Sequence, residues 1–243
     1  MSTNDHLLLV GGKSGSGKSM SLYEMRNNTG VLYLNAEAGK KLPFKSKFVE
    51  KTITDPLQVF QAFDWAETNP EITDIVLDTW TFLNEMYESL YIIGAADGRA
   101  AWGAFGQFVK TLMQQYVSKS TKKVTFLAHT ADKYNEGEML MESSVPVKGA
   151  MKNQGLESFF STVVTTRKMK IKDLEPYLTE DNKLLIVTDR ERLLGFKHVF
   201  QTQVTKETTS DRIRGPFGMW ADCETFINND VAMVMKRLDE YYS

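Results

Sequence analysis

Leu7-Leu8-Leu9-Val10-Gly11-Gly12-Lys13-Ser14-Gly15-Ser16-Gly17-Lys18-Ser19 is the stretch on which the reading of this chain turns. An aliphatic run that ends in two glycines predicts a buried strand entering a tight turn, and residues 16–26 predict a helix that stops at Asn27, Asn28 and Gly30. Inside that strand, loop and helix, the spacing of Gly12, Gly17, Lys18 and Ser19 fits a phosphate-binding loop. Its glycines let the backbone wrap a phosphate so that N–H groups face the negative charge. Lys18 can then reach the terminal phosphates, and Ser19 can hold Mg²⁺. Gly12, Lys13, Ser14, Gly15, Ser16, Gly17, Lys18 and Ser19 are therefore the expected nucleotide contacts, with ATP and Mg²⁺ as ligands.

Working outward, strands are predicted at 31–34, Asp74–Asp78 and 124–128, as unbroken apolar runs suited to a sheet covered on both faces. Helices are predicted at 56–67 and 80–93. Gly94, Gly98, Gly103 and Gly106 then predict a loop that carries Arg99 and Trp102, after which Phe105, Phe108, Leu112 and Tyr116 recur at helical spacing. Residues 129–155, with Pro146, Gly137, Gly149 and Gly155, have no sustained period and predict a long, functional loop. Beyond it, short strands at 162–167, 184–188 and 197–204 predict an antiparallel extension, closed by an amphipathic helix at 226–242. The expected fold is one α/β domain over residues 1–243. Its core of about 7–160 would be a mainly parallel sheet with helices on both faces, and 161–243 would form the antiparallel extension and last helix.

Composition narrows the classes. The 243 residues are 42% hydrophobic, 11% aromatic and 25% charged, which excludes a disordered or fibrous chain. No apolar run approaches the roughly 20 residues that cross a bilayer, and the N-terminus lacks a signal peptide's basic and apolar regions, so a cytoplasmic protein without membrane contact is expected. Cys223 is the single cysteine and His6, His129 and His198 are scattered, which leaves no disulfide framework and no clustered zinc site. A net charge of −2 gives no global pull on nucleic acid; a polyanion must meet a local patch.

Phosphoryl chemistry needs a carboxylate at a neighbouring strand end to orient the metal, and Asp78, closing Ile75-Val76-Leu77-Asp78, is placed for it. Thr79 follows rather than a second acid, so the base that polarises the attacking water is sought elsewhere. Glu37 is the candidate, just past the second strand in Tyr33-Leu34-Asn35-Ala36-Glu37.

This order of phosphate loop, glutamate after strand two, aspartate-threonine after strand three and polar residue after strand four resembles the RecA-type ATPases. It is similar in particular to the small RecA-like recombination ATPases of bacteriophages, over about residues 7–215. The resemblance implies that Glu37 is the catalytic base, Asp78 the Mg²⁺-orienting residue and His129 the sensor of the γ-phosphate. It implies single-stranded DNA as partner, lying along 94–106 and 130–155, where Lys133, Lys148 and Lys152 can meet phosphates and Tyr134, Trp102 and Arg99 can meet bases or backbone. It also implies a filament or ring with ATP at subunit interfaces, a basic residue such as Arg212 or Arg214 acting on a neighbour's nucleotide, and a single-strand-binding protein as a further partner. The run Arg167, Lys168, Lys170, Lys172 reads as a solvated face.

Two departures stand beside the resemblance. Six residues precede the first strand, so the latch segment of RecA-type recombinases is expected to be missing, and no separate duplex-binding domain is evident. A helicase-like motor or loader would share nearly all these motifs. A P-loop kinase would favour an arginine-rich lid, and 129–155 contains no arginine.

Overall fold

The computed structural model describes residues 4–137, 139–151 and 154–243. Its strands are β1 (Leu7–Gly12), β2 (Val31–Asn35), β3 (Val49–Thr52), β4 (Asp74–Asp78), β5 (Lys123–His129), β6 (Ala131–Asn135), β7 (Leu140–Ser144), β8 (Thr162–Lys170), β9 (Phe196–Gln201) and β10 (Phe226–Asn228). Eight form one sheet in the order β10-β9-β8-β1-β5-β4-β2-β3, and β6 and β7 pair separately as a hairpin. Neighbours from β8 across to β3 are parallel, whereas β9 and β10 are antiparallel.

Because side chains alternate across a strand, the sheet has two apolar faces. Leu7, Leu9, Leu32, Leu34, Ile75, Leu77, Val124 and Phe126 pack against α1 (Gln58–Thr68), α2 (Trp80–Tyr87) and α3 (Gly98–Thr111). Leu8, Val10, Val31, Tyr33, Val76 and Leu127 pack on the other side, where Leu22 and Met25 of the 3₁₀ helix Ser19–Met25 meet the last helix. Two short helices, α4 (Ile171–Leu174) and α5 (Asp189–Leu194), flank β8 and β9, and α6 (Val231–Tyr242) closes the chain. Two covered faces explain why the central strands are unbroken apolar runs. Among the described residues no helix is long and apolar enough to cross a membrane.

Several expectations need correction. The helix expected at 16–26 is a 3₁₀ helix confined to Ser19–Met25. The glycine-marked loop at 94–106 is mostly α3: Asp97 caps it by accepting from the Ala100 amide, and burial of Phe105, Phe108, Val109 and Leu112 outweighs helix-interior glycines that cost about 1 kcal/mol each. The long loop expected over 129–155 contains the β6–β7 hairpin, whose strands bury no face and so carry no alternation to read.

On the far side, β8 is parallel to β1, so the antiparallel part starts only at β9. Residues 184–188 form no strand, although the Leu184 carbonyl accepts from the Asn228 amide at 2.8 Å. Phe226 lies in β10 rather than in the last helix, which starts at Val231 where Asp230 accepts from the Ala232 amide.

Candidate functional site

At the C-terminal ends of β1, β2, β4 and β5 a cleft of about 320 Å³ opens beside the loop after β1. Gly12 and Gly17 are the glycines that this loop's shape requires. A Cβ at Gly12 would fall 2.4 Å from the Thr166 methyl, and Gly17 adopts φ +106, where side chains are strained. Lys18 curls back over the loop, its Nζ donating to the Gly12 and Lys13 carbonyls at 2.9 Å each. Burial lowers its pKa to about 8 against the opposing pull of Asp78 and Glu37.

Asp78 is 2% exposed and is the hub of the cleft floor. Its Oδ2 accepts from Ser19 Oγ and from Tyr33 OH, each at 2.9 Å. Its Oδ1 is buried without a hydrogen-bond partner among the described residues. Burial pushes the carboxyl up, partly opposed by the Ser19 and Tyr33 hydrogen bonds, and it pushes the Tyr33 phenol up as well, with Asp78 adding to it. The peptide from Asp78 to Thr79 is cis. The Ser19 hydroxyl and the Asp78 carboxylate, with its Oδ1 unengaged, form a donor set that fits a hydrated Mg²⁺, a cation bound through one or two protein oxygens and several waters.

Glu37 and His129 line the same cleft. The Glu37 side chain is 9% exposed and its Oε2 accepts from Lys40 Nζ at 2.7 Å. His129 ends β5 with its backbone amide held by Thr81 Oγ1 at 2.9 Å; burial, then the Lys18 charge, lowers its pKa and favours the neutral ring. Thus the geometry brings Lys18, Ser19, Asp78, Glu37 and His129 to one cavity. No protein-family model matches the chain, and no curated protein matches it.

Sequence reading missed four contributors. Tyr33 stands out only as a phenol within an aliphatic strand. Thr166, His198 and Asn229 hold the loop from β8, β9 and the turn before α6, and nothing local in the sequence links them to it.

The remaining candidates are dispersed. A larger cleft of about 980 Å³ lies across residues 13–16 from the first, between the hairpin and residues 205–211, and contains none of Lys18, Ser19, Asp78 or Glu37. The smaller cleft therefore holds the candidate site. Lys13 lines the larger cleft and pairs there with Asp132 of β6 at 2.5 Å. Lys133 and Tyr134 project from the hairpin into solvent, Tyr134 half-exposed, and Arg99 is exposed at the start of α3. Trp102 is partly covered, edge-on to Phe105 and against Gly149, so packing takes part of the face expected to stack on bases. Lys148 pairs with Glu88, and Lys152 lies outside the described residues.

Arg167 pairs with Asp211, and Lys168 sits 3.8 Å over the Phe196 ring, so these two do not simply face water. Arg212 donates to Glu142 through Nε at 2.9 Å and Nη2 at 2.6 Å, and its Nη1 lies 3.7 Å from Glu157. Glu157 is 2% exposed and also accepts from the Val145 amide at 2.7 Å. Arg214 pairs its backbone with Val163 while its side chain is exposed. Arg212→Ala should accordingly lower folding stability by about 1–3 kcal/mol, because it strips a buried carboxylate of its cation. Arg214→Ala should leave stability within about 0.5 kcal/mol of the parent. Urea titrations of both variants check this; equal midpoints would deny Arg212 its bracing role.

Proposed function

We propose that this chain is a RecA-type ATPase that binds single-stranded DNA, assembles with copies of itself and acts in recombination by annealing or strand exchange. The observation that carries the nucleotide reading is the convergence of Lys18, the Ser19–Asp78–Tyr33 cluster, Glu37 and His129 on one cleft at the ends of parallel strands. Bound Mg²⁺ would neutralise charge on the phosphates. Ser19 and Asp78 would hold it, Asp78 Oδ1 being the oxygen left over after Ser19 and Tyr33 are satisfied. Lys18 stabilises the terminal phosphates, Glu37 takes the proton of the attacking water, and His129 donates a hydrogen bond to the γ-phosphate from the end of β5.

No arginine lines the cleft among the described residues, and Arg214 is exposed and unpaired among them. That supports a neighbour's Arg214, rather than Arg212, as the charge supplied across an interface. For DNA, β6 of the hairpin offers an exposed cation, Lys133, and, on the opposite face of the strand, the half-exposed ring of Tyr134, the two kinds of group that single-strand binders use. The Lys13–Asp132 ion pair joins that hairpin to the phosphate loop.

ATP turnover measured with and without single-stranded DNA tests the reading. Turnover should rise severalfold with DNA, and indifference would refute the DNA half. Replacing Lys133 and Tyr134 together by alanine should weaken single-strand affinity roughly tenfold and flatten its salt dependence, through the loss of one phosphate contact and one stacking face. DNA-free turnover should not change. An unaltered affinity would remove the hairpin from the DNA path.

A further inference from the structure

The phosphate loop is held from behind by three side chains from the C-terminal third of the chain. The Ser16 carbonyl accepts from Thr166 Oγ1 at 2.7 Å and meets His198 Nδ1 at 2.6 Å; the Gly17 carbonyl accepts from Asn229 Nδ2 at 2.8 Å. A Cβ at Gly17 would meet Asn229 Nδ2 at 3.0 Å and His198 Nδ1 at 3.1 Å, so the loop sits directly on this support. A carbonyl oxygen can only accept, which places a proton on His198 Nδ1.

The His198 ring also lines the phosphate cleft, with Gly17, Lys18, Ser19 and Met20, and its Nε2 has no hydrogen-bond partner among the described residues. Of the three, only His198 lines the phosphate cleft; Thr166 lines the larger cleft across residues 13–16, and Asn229 lines neither. Its strand neighbour across β8 is Lys168, and the cleft around it holds Lys18, Lys40, Lys41, Glu37, Asp78 and His129.

We propose that His198 is a phosphate-contacting residue of the nucleotide site, which fixes the loop through Nδ1 and meets a phosphate oxygen of a nucleoside di- or triphosphate through Nε2. This rests on the nucleotide reading above and extends it: the antiparallel strand β9 becomes part of the site, opposite His129 of β5. A carbonyl and a phosphate oxygen both only accept, so the contact uses a donor at each ring nitrogen, one toward the Ser16 carbonyl and one toward the ligand. Nothing is transferred; the contact binds and orients.

Two isosteric variants separate the nitrogens, because an asparagine amide nitrogen falls near Nδ1 and a glutamine amide nitrogen near Nε2. His198→Asn keeps a donor for Ser16 and removes the cleft-facing nitrogen. It should melt within a degree or two of the parent, yet bind ATP and ADP about tenfold more weakly by calorimetry, the loss of one charge-assisted hydrogen bond. His198→Gln should retain more nucleotide affinity than His198→Asn while melting lower. Parent-like affinity in His198→Asn would reduce His198 to a structural support and overturn this inference alone. A parent protein that binds no ATP, measured in the same series, would overturn the nucleotide reading and this inference together.

Discussion

Lys18→Ala is expected to weaken ATP and ADP binding by about 100-fold or more while the empty protein stays folded. Two charge-assisted hydrogen bonds to phosphate, each about 1.5–3 kcal/mol, amount to at least the 2.7 kcal/mol that a 100-fold change represents. The fold tolerates the loss because neither carbonyl that Lys18 caps is abandoned. Gly12 O also accepts from the Thr130 amide and Lys13 O from the Ser16 amide, each at 3.2 Å. Linkage has a definite sign as well: a lysine lowered to about 8 holds its proton less tightly folded than unfolded. Its burial therefore costs stability at neutral pH, and that cost fades as pH rises above about 8 toward the ordinary lysine value.

Removing Lys18 thus relieves a desolvated cation, so the melting temperature of the ligand-free variant should match or exceed the parent's. Lys13→Ala serves as the control, since it deletes a charge of the same loop from a side chain that is 67% exposed and paired with Asp132. It should bind ATP far better than Lys18→Ala. Calorimetric titration of both with ATP and Mg²⁺ decides the matter; parent-like affinity in Lys18→Ala would refute the phosphate-loop assignment.

What could be read from sequence was whatever local covalent structure demands. Gly12 and Gly17 are legible because a close approach and a positive φ leave room for no other residue. Asp78 is legible because a doubly covered parallel strand is apolar until it emerges at its end, where the first acid meets the site. Illegible parts lack such a local imprint. Val49-Glu50-Lys51-Thr52 forms an edge strand that is largely solvent-facing, so β3 shows neither an apolar run nor a clean alternation. In α3 the glycines concealed a helix that one buried face was enough to hold.

The loop support is illegible for a different reason. Thr166, His198 and Asn229 are 150, 182 and 212 residues from the carbonyls that they hold, so only the sheet order, which sets β8 beside β1 with β9 and β10 next in line, brings them there. Likewise, Arg212 and Arg214 look alike in sequence. They separate only once Arg212 is seen to brace Glu142 and Glu157, which commits its charge within the chain.

Glu37→Gln should bind ATP with close to parental affinity and hydrolyse it about 100- to 10,000-fold more slowly, the range that a positioned general base contributes. Glutamine keeps the shape and removes the basic oxygen. The affinity should persist because Glu37's cationic partner, Lys40, has a side chain that is 70% exposed, and losing an exposed ion pair costs at most about 1 kcal/mol. Nor does the substitution touch Lys18, Ser19 or Asp78, the residues proposed to hold phosphate and metal. The Glu37–Lys40 pair has a further consequence. Bound to Lys40, Glu37 Oε2 is engaged, so water activation requires its other oxygen or release of the lysine. Lys40→Met should therefore leave hydrolysis intact or raise it, a result opposite to that of Glu37→Gln. Single-turnover assays with saturating ATP, alongside equilibrium binding, separate the two effects. Undiminished hydrolysis by Glu37→Gln would exclude Glu37 as the base, and His129, which ends β5 in the same cleft, would be the next residue to replace.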